Sequence, residues 1–161
     1  MRAFFLWMLL FSVVCTPARA QENLPRFVSL KSTQANLRVG PGERFPIDWV
    51  FKRKGWPFEV TDEYEHWRKV TDIDGTTGWM HKSMLASSPR TALTKRDKKT
   101  LLYKKDSPSS QIIAVLKGSV PVRLKKCKKD SLFCKVSTHD IMGYVLKSDL
   151  FGVYLNEEIK K

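Results

Sequence analysis

The sequence predicts an all-β protein, two small tandem β-barrels preceded by an N-terminal export signal. Three observations predict it. Two stretches repeat, WRKVTDIDGTTGWMHKSML in the middle of the chain and FCKVSTHDIMGYVLKSDL near its end. Apolar residues alternate with polar ones over short runs separated by turn-forming residues, the pattern of short strands in small barrels. Beyond residue 20, no stretch sustains a helical period.

The elements follow in chain order. Met1 and Arg2 make a short basic start, Ala3–Cys15 is an apolar run broken by Ser12, and Ala18-Arg19-Ala20 has the form of an export cleavage site. Residues 1–20 read as a secretory signal peptide. The apolar run is short of the ~20 residues a spanning helix needs, and no later segment is apolar enough to enter a bilayer. The expected mature chain starts at Gln21 and is periplasmic or secreted, without a transmembrane segment. Gly40-Pro41-Gly42 forces an irregular loop. Ile47, Trp49 and Phe51 alternate along one strand, and Trp56, Phe58 and Val60 along the next. Asp74-Gly75 is a hairpin signal between Val70 and Trp79, and Lys82–Leu85 reads as one short helical turn.

The second copy repeats the first. Val136 matches Val70, Gly143-Tyr144 matches Gly78-Trp79, Lys147-Ser148 matches Lys82-Ser83, and Leu150 matches Leu85. Val120, Val122 and Leu124 alternate as Trp56, Phe58 and Val60 do. A repeat this long, present twice, is a duplicated small domain, placed at residues 27–94 and 95–156. Each copy is near the lower size limit for an independent core.

Of the three cysteines, Cys15 lies in the signal. Cys127 and Cys134 remain, at either end of a candidate hairpin tip. An even count in an oxidising compartment favours a disulfide over two free thiols. Zinc needs about four ligands, and His66, His81 and His139 are scattered, so neither a metal nor another cofactor is expected. In the first copy the equivalent places hold Glu63 and Arg68, opposite charges suited to pairing across the same hairpin.

The chain carries 29 basic and 16 acidic residues. Residues 21–91 hold 11 and 9 of them, and residues 92–161 hold 16 and 7. The excess in the second copy, with Lys125, Lys126, Lys128 and Lys129 as its densest run, suits acidic lipid headgroups or surface glycans rather than nucleic acid, or else is a solvated face.

Asn36-Leu37-Arg38-Val39-Gly40-Pro41-Gly42 resembles the opening motif of bacterial SH3 domains. Trp67-Arg68-Lys69-Val70, then Asp74-Gly75 and Gly78-Trp79, resembles their second half. The chain as a whole is similar to exported tandem SH3 proteins of alphaproteobacteria. Their second copy carries a cysteine pair where Cys127 and Cys134 stand, and a last segment like Gly152-Val153-Tyr154. The resemblance implies two SH3-like barrels. It also implies a peptide-binding groove in which Trp67 takes the place of the groove tryptophan, and His81 and Met84 the places of a groove proline and tyrosine. Arg38 and Glu43 lie on the neighbouring loop, which lacks the acidic, tyrosine-rich character of the eukaryotic pattern. Strand alternation independently separates Trp67 from Val70; Val70 is the core choice, leaving Trp67 to the surface. Trp79 is assigned to the core first and to the groove second. Phe133, Leu146 and Asp149 occupy the matching places in copy two, a degraded site.

No nucleophile–base arrangement or phosphate cradle is present, so no enzyme is expected. The expected function is a non-catalytic module that recognises peptidoglycan peptide, another cell-wall component or a partner protein through copy one. The alternatives are a periplasmic interaction scaffold and a basic protein docking on acidic membrane or glycan surfaces.

Overall fold

The computed structural model describes residues 23–160; the signal-peptide reading of residues 1–20 lies outside them. The strands are β1 (Arg26–Leu30), β2 (Ala35–Arg38), β3 (Ile47–Phe51), β4 (Pro57–Tyr64), β5 (Trp67–Thr71), β6 (Thr77–His81) and β7 (Leu85–Ala86), then β8 (Thr91–Thr94), β9 (Thr100–Tyr103), β10 (Ile112–Leu116), β11 (Pro121–Cys127), β12 (Phe133–Thr138), β13 (Ile141–Leu146) and β14 (Leu150–Phe151). Short 3-10 turns, Lys82–Met84 and Lys147–Asp149, precede β7 and β14. No helix among the described residues is long and apolar enough to cross a membrane.

The strands form two seven-stranded antiparallel sheets, ordered β3-β2-β6-β5-β4-β1-β7 and β10-β9-β13-β12-β11-β8-β14. Adding seven to each strand number converts the first order into the second, so the sequence repeat is a repeat of topology. The expected closed barrels are corrected here. β3 and β7 do not pair with each other, nor do β10 and β14. The reason lies in the last strands: β7 and β14 have two residues each, too little backbone to close a ring. The strand Thr91–Thr94 pairs with β11 and β14, so the sheets divide between Ala86 and Thr91 rather than at Lys95.

Each sheet curls its inner face around one apolar cluster. In the first, Val28, Leu30, Leu37, Phe51, Phe58, Val60, Val70 and Met80 meet. In the second, Leu102, Val122, Leu124, Val136, Val145 and Leu150 do, together with Cys127 and Cys134. Period-two alternation is visible in β4, where Phe58 and Val60 are buried, and in β11, where Val122 and Leu124 are. It fails in β3: only Phe51 reaches the core, and Trp49 is 57% exposed. β3 is an edge strand paired only with β2, and its start runs past the core.

A β-bulge recurs at the same place in both sheets. The pairing slips between Val60 and Asp62 in the first and between Leu124 and Lys126 in the second. An extra residue swaps the faces of all that follow it. Strict alternation after Leu124 would turn Cys127 outward; the bulge at Lys125 turns it in. Cys127 then stands directly opposite Cys134, and the two form a disulfide with Cα atoms 4.4 Å apart. In the first sheet the same register sets Glu63 opposite Arg68, and Arg68 Nε lies 2.9 Å from Glu63 Oε1.

Close approach at a glycine brings β6 over β2. A Cβ on Gly78 would fall 2.7 Å from Leu37 Cγ and 2.9 Å from the Arg38 carbonyl oxygen, and Gly143 meets Tyr103 and Leu102 in the same way.

The sheets also pack on each other. Along β1, Val28 and Leu30 enter the first core, while Phe27 and Ser29, on the other face, are also buried. Phe27 lies edge-on to Phe151 at 5.2 Å and tilted against Tyr154 at 4.6 Å. The Tyr154 hydroxyl donates to Glu59 Oε1 at 2.6 Å. Ser29 Oγ and Thr91 Oγ1 are 2.7 Å apart, and Thr91 Oγ1 donates to the Gly55 carbonyl at 2.6 Å.

Candidate functional site

β2 and the loop after it, β5, β6 and the turn after β6 place five of the singled-out residues around one open cleft. Arg38, Glu43, Trp67, His81 and Met84 line it with Asn36 and Ser83, enclosing about 370 Å³. The register explains the convergence. Trp67 is directly opposite His81 across β5 and β6, both facing away from Val70 and Met80. Their rings meet edge to face with centroids 5.4 Å apart. Trp67 is half-buried, with its ring neither in the core nor free of neighbours.

The other wall is a loop held by Arg38. Its Nη1 donates to the Phe45 carbonyl at 2.7 Å, while Phe45 packs over Gly40, where a Cβ would fall 2.4–2.6 Å from the ring. Arg38 therefore shapes the loop as well as lining the cleft. Glu43 stands exposed on that loop. At the floor, Met84 packs against the core cluster and its sulfur accepts from Ser32 Oγ at 3.2 Å. His81 caps the 3-10 turn: its Nδ1 accepts from the Ser83 amide at 3.3 Å and lies 2.7 Å from Ser83 Oγ.

Trp79 departs from the expectation that it is core. Met80, fully buried, holds the core position of β6, and Trp79 is half-buried on the opposite face. It stands opposite Arg38 and Lys69, beside the cleft but outside its lining. Gly78 lets β6 lie close to β2, and the residue after it points away from the core.

In the second sheet, Phe133 takes the place of Trp67 and is buried, with its ring edge-on to Tyr103 at 5.5 Å. Leu146 faces it across the strands where His81 faces Trp67. Asp149 is buried, where Met84 borders the first cleft. The second sheet has a cleft of another kind, about 320 Å³, lined by Lys126, Lys128 and Lys135 with Phe133, Tyr144, Ser131 and Asp106. Lys128 Nζ is 3.7 Å from Asp106. Lys129 is exposed, and Lys125, at the bulge, is half-buried; both lie outside this lining. Lys135 and Tyr144 went unremarked as cleft residues in the sequence reading. Their alternation with buried Val136 and Val145 was the available signal.

Among the described residues, no group of three or more His, Cys, Asp or Glu side chains comes together to hold a metal.

The cleft lies on a segment of known kind. Residues 31–86 match the family model for the bacterial SH3 domain. The matched segment runs through β2 to β7 and carries every residue lining the Trp67 cleft; the second sheet lies beyond it. No curated protein matches the chain. Among solved structures, the chain is similar to NlpC2 from Trichomonas vaginalis, with 12% identity and a TM-score of 0.36, covering 81% of this chain and 49% of that one. It is similar also to NlpC1 from the same organism, with 11% identity and a TM-score of 0.37, covering 88% and 50%. The chain thus spans about half the length of these proteins.

Proposed function

We propose that this is an exported, non-catalytic binding protein of the tandem SH3 kind its sequence resembles, whose first unit receives a peptide of the cell wall or of a partner protein in the Trp67 cleft. The convergence of Arg38, Glu43, Trp67, His81 and Met84 on one open cleft carries this reading. SH3-type grooves take extended peptides on aromatic faces. Here Trp67 offers the face, Glu43 an exposed carboxylate for a peptide amine, and the Arg38-held loop a fixed wall. The His81–Ser83 contact is read as a cap rather than a catalytic pair, because one turn of backbone already accounts for both groups. Purified peptidoglycan sacculi test the proposal. Retention should be lost in Trp67→Ala and survive moderate salt; retention indifferent to Trp67→Ala overturns it.

The second cleft supports a second reading, docking on acidic glycan or lipid through Lys126, Lys128 and Lys135. Such contact is screened by salt. Retention abolished by salt and insensitive to Trp67→Ala would select it.

A further inference from the structure

A third cavity belongs to neither sheet alone. It encloses about 520 Å³ where the sheets meet, within the range of small-ligand sites. β1, the turn before β4 and the Ala86–Thr91 connection border it, and Arg123 of β11 closes the far side. Leu30, Ala86 and Pro89 supply apolar surface, and Lys31, Lys54 and Arg123 supply positive charge.

The charge is unbalanced. No acidic side chain lines this cavity, whereas the Trp67 cleft contains Glu43 and the Lys126 cleft contains Asp106. Among the described residues, Lys31, Lys54 and Arg123 take part in none of the chain's ion pairs. One polar wall, in contrast, is hydrogen-bonded within the protein. Ser29 accepts from the Thr91 amide at 3.0 Å, and the Thr91 hydroxyl donates to Gly55. These bonds tie one sheet to the other along that wall.

We propose that the junction binds an aliphatic carboxylate, its head held by Lys31, Lys54 and Arg123 and its body laid on Leu30, Ala86 and Pro89. Three cations sharing a cavity repel one another, and an anion relieves that repulsion. The apolar surface favours a ligand with hydrocarbon next to the charge over a bare inorganic anion. Such a carboxylate comes either from an acyl chain or from the free end of a peptide rich in small aliphatic residues.

The test is amide NMR of residues 21–161, titrated separately with octanoate, trialanine, octanol and trialanine amide. Octanoate or trialanine should produce saturable shifts at Leu30, Gly55, Ala86 and Thr91, and the one that saturates identifies the source. The neutral analogues should leave these signals in place. Lys54→Ala/Arg123→Ala, exposed positions whose truncation leaves the cores intact, should weaken binding about 100-fold, about tenfold for each lost charge-assisted contact. Lys31→Ala alone provides a second, milder variant. The proposal is overturned if neither acid shifts these amides, if the neutral analogues bind equally well, if the variants bind as the parent does, or if the shifts fall only at Trp67 and His81.

Discussion

Two halves with the same strand order solve three equivalent positions in opposite ways. Across the β4–β5 hairpin, Glu63 faces Arg68 as an ion pair; across β11–β12, Cys127 and Cys134 are covalently joined. On β5 Trp67 opens toward the cleft, whereas on β12 Phe133 is buried against Tyr103. After β6 Lys82 is exposed, whereas after β13 its counterpart Lys147 is 1% exposed. The fold tolerates either choice at each position, because the backbone pairing is common to both. In all three, copy one keeps a polar or half-open arrangement and copy two a buried or bonded one. Under the proposed function, peptide contact falls to the more open first unit, while the second is anchored internally.

Lys147 shows how the anchoring works. Its Nζ donates to the carbonyls of Lys128, Leu155 and Glu157 at 2.7, 2.8 and 3.1 Å, tying the last segment to the β11–β12 hairpin. Ile159 and Cys127 exchange backbone hydrogen bonds at 2.9 and 3.0 Å beside it. The segment also replaces a lost partner. Arg26 of β1 pairs with Glu63 of the β4–β5 hairpin, but at the equivalent of Glu63 the second copy has Cys127. Arg90, the equivalent of Arg26, is bonded instead to Glu157 of the last segment at 2.7 Å. Tyr154 on the same segment reaches back to Glu59 of the first sheet, so the second copy's closure is also the link between copies.

The aromatic contrast predicts the largest effect. Phe133→Ala should cost about 3–5 kcal/mol of stability, as removal of a buried aromatic does, while Trp67→Ala should cost about 1 kcal/mol or less because its ring is half solvated. Urea unfolding of both variants checks this; equal costs would remove the distinction. Next, Lys147→Ala should cost about 2–3 kcal/mol, through three carbonyls deprived of a charged donor, and Lys82→Ala should stay within about 0.5 kcal/mol. Proteolysis near Leu155 should accelerate only in the former.

Cys127→Ala/Cys134→Ala should cost about 2–3 kcal/mol in the chain-entropy view of so short a loop. Glu63→Gln should cost about 1 kcal/mol or less, since solvent reaches that pair. Tyr154→Phe should likewise cost about 1 kcal/mol at neutral pH, for one hydrogen bond, but its effect is pH-dependent. Burial, then the hydrogen bond to Glu59, raises the Tyr154 hydroxyl above its usual 10.0. The unfolded chain therefore loses that proton first. Stability from this group is complete below pH 10 and falls as pH rises past it. Burial lowers Lys147 from 10.5; between its depressed value and 10.5 the folded state sheds the proton first, so its contribution to stability rises with pH. Comparing the alkaline slopes of parent and Tyr154→Phe separates the two. A slope unchanged by Tyr154→Phe would mean that Tyr154 does not carry this dependence.

Much of this was legible in the chain. Equivalent residues at an offset of 64 to 66 announce the duplicated topology, since side chains that repeat in order must meet the same backbone neighbours. Val70, Phe58, Val60, Val122 and Leu124 are core by alternation alone, and Trp67 falls outside it by the same rule. Glu63 with Arg68, and Cys127 with Cys134, were legible as hairpin partners. Trp79 was not legible as surface, because apolarity alone does not say which face of β6 an aromatic takes; the fully buried Met80 beside it settles that. Nor was the burial of Lys147, whose residue type argues for solvent and whose partners are backbone carbonyls, one of them 19 residues back in the chain.

By itself, the sequence determined the β class, the repeat, the hairpin partners and the outward place of Trp67, because short-range alternation and turn chemistry act between neighbours in the chain; Arg38, Glu43, His81 and Met84 were singled out by the resemblance to SH3 domains. Only the tertiary structure decided that the sheets stay open, that a bulge turns Cys127 inward, and that the last segment binds Lys147, Arg90 and Glu59 together. It alone created the cationic cavity between the sheets. Those outcomes depend on how much backbone is left to pair and on which surfaces meet in space, and neither quantity is local in the chain.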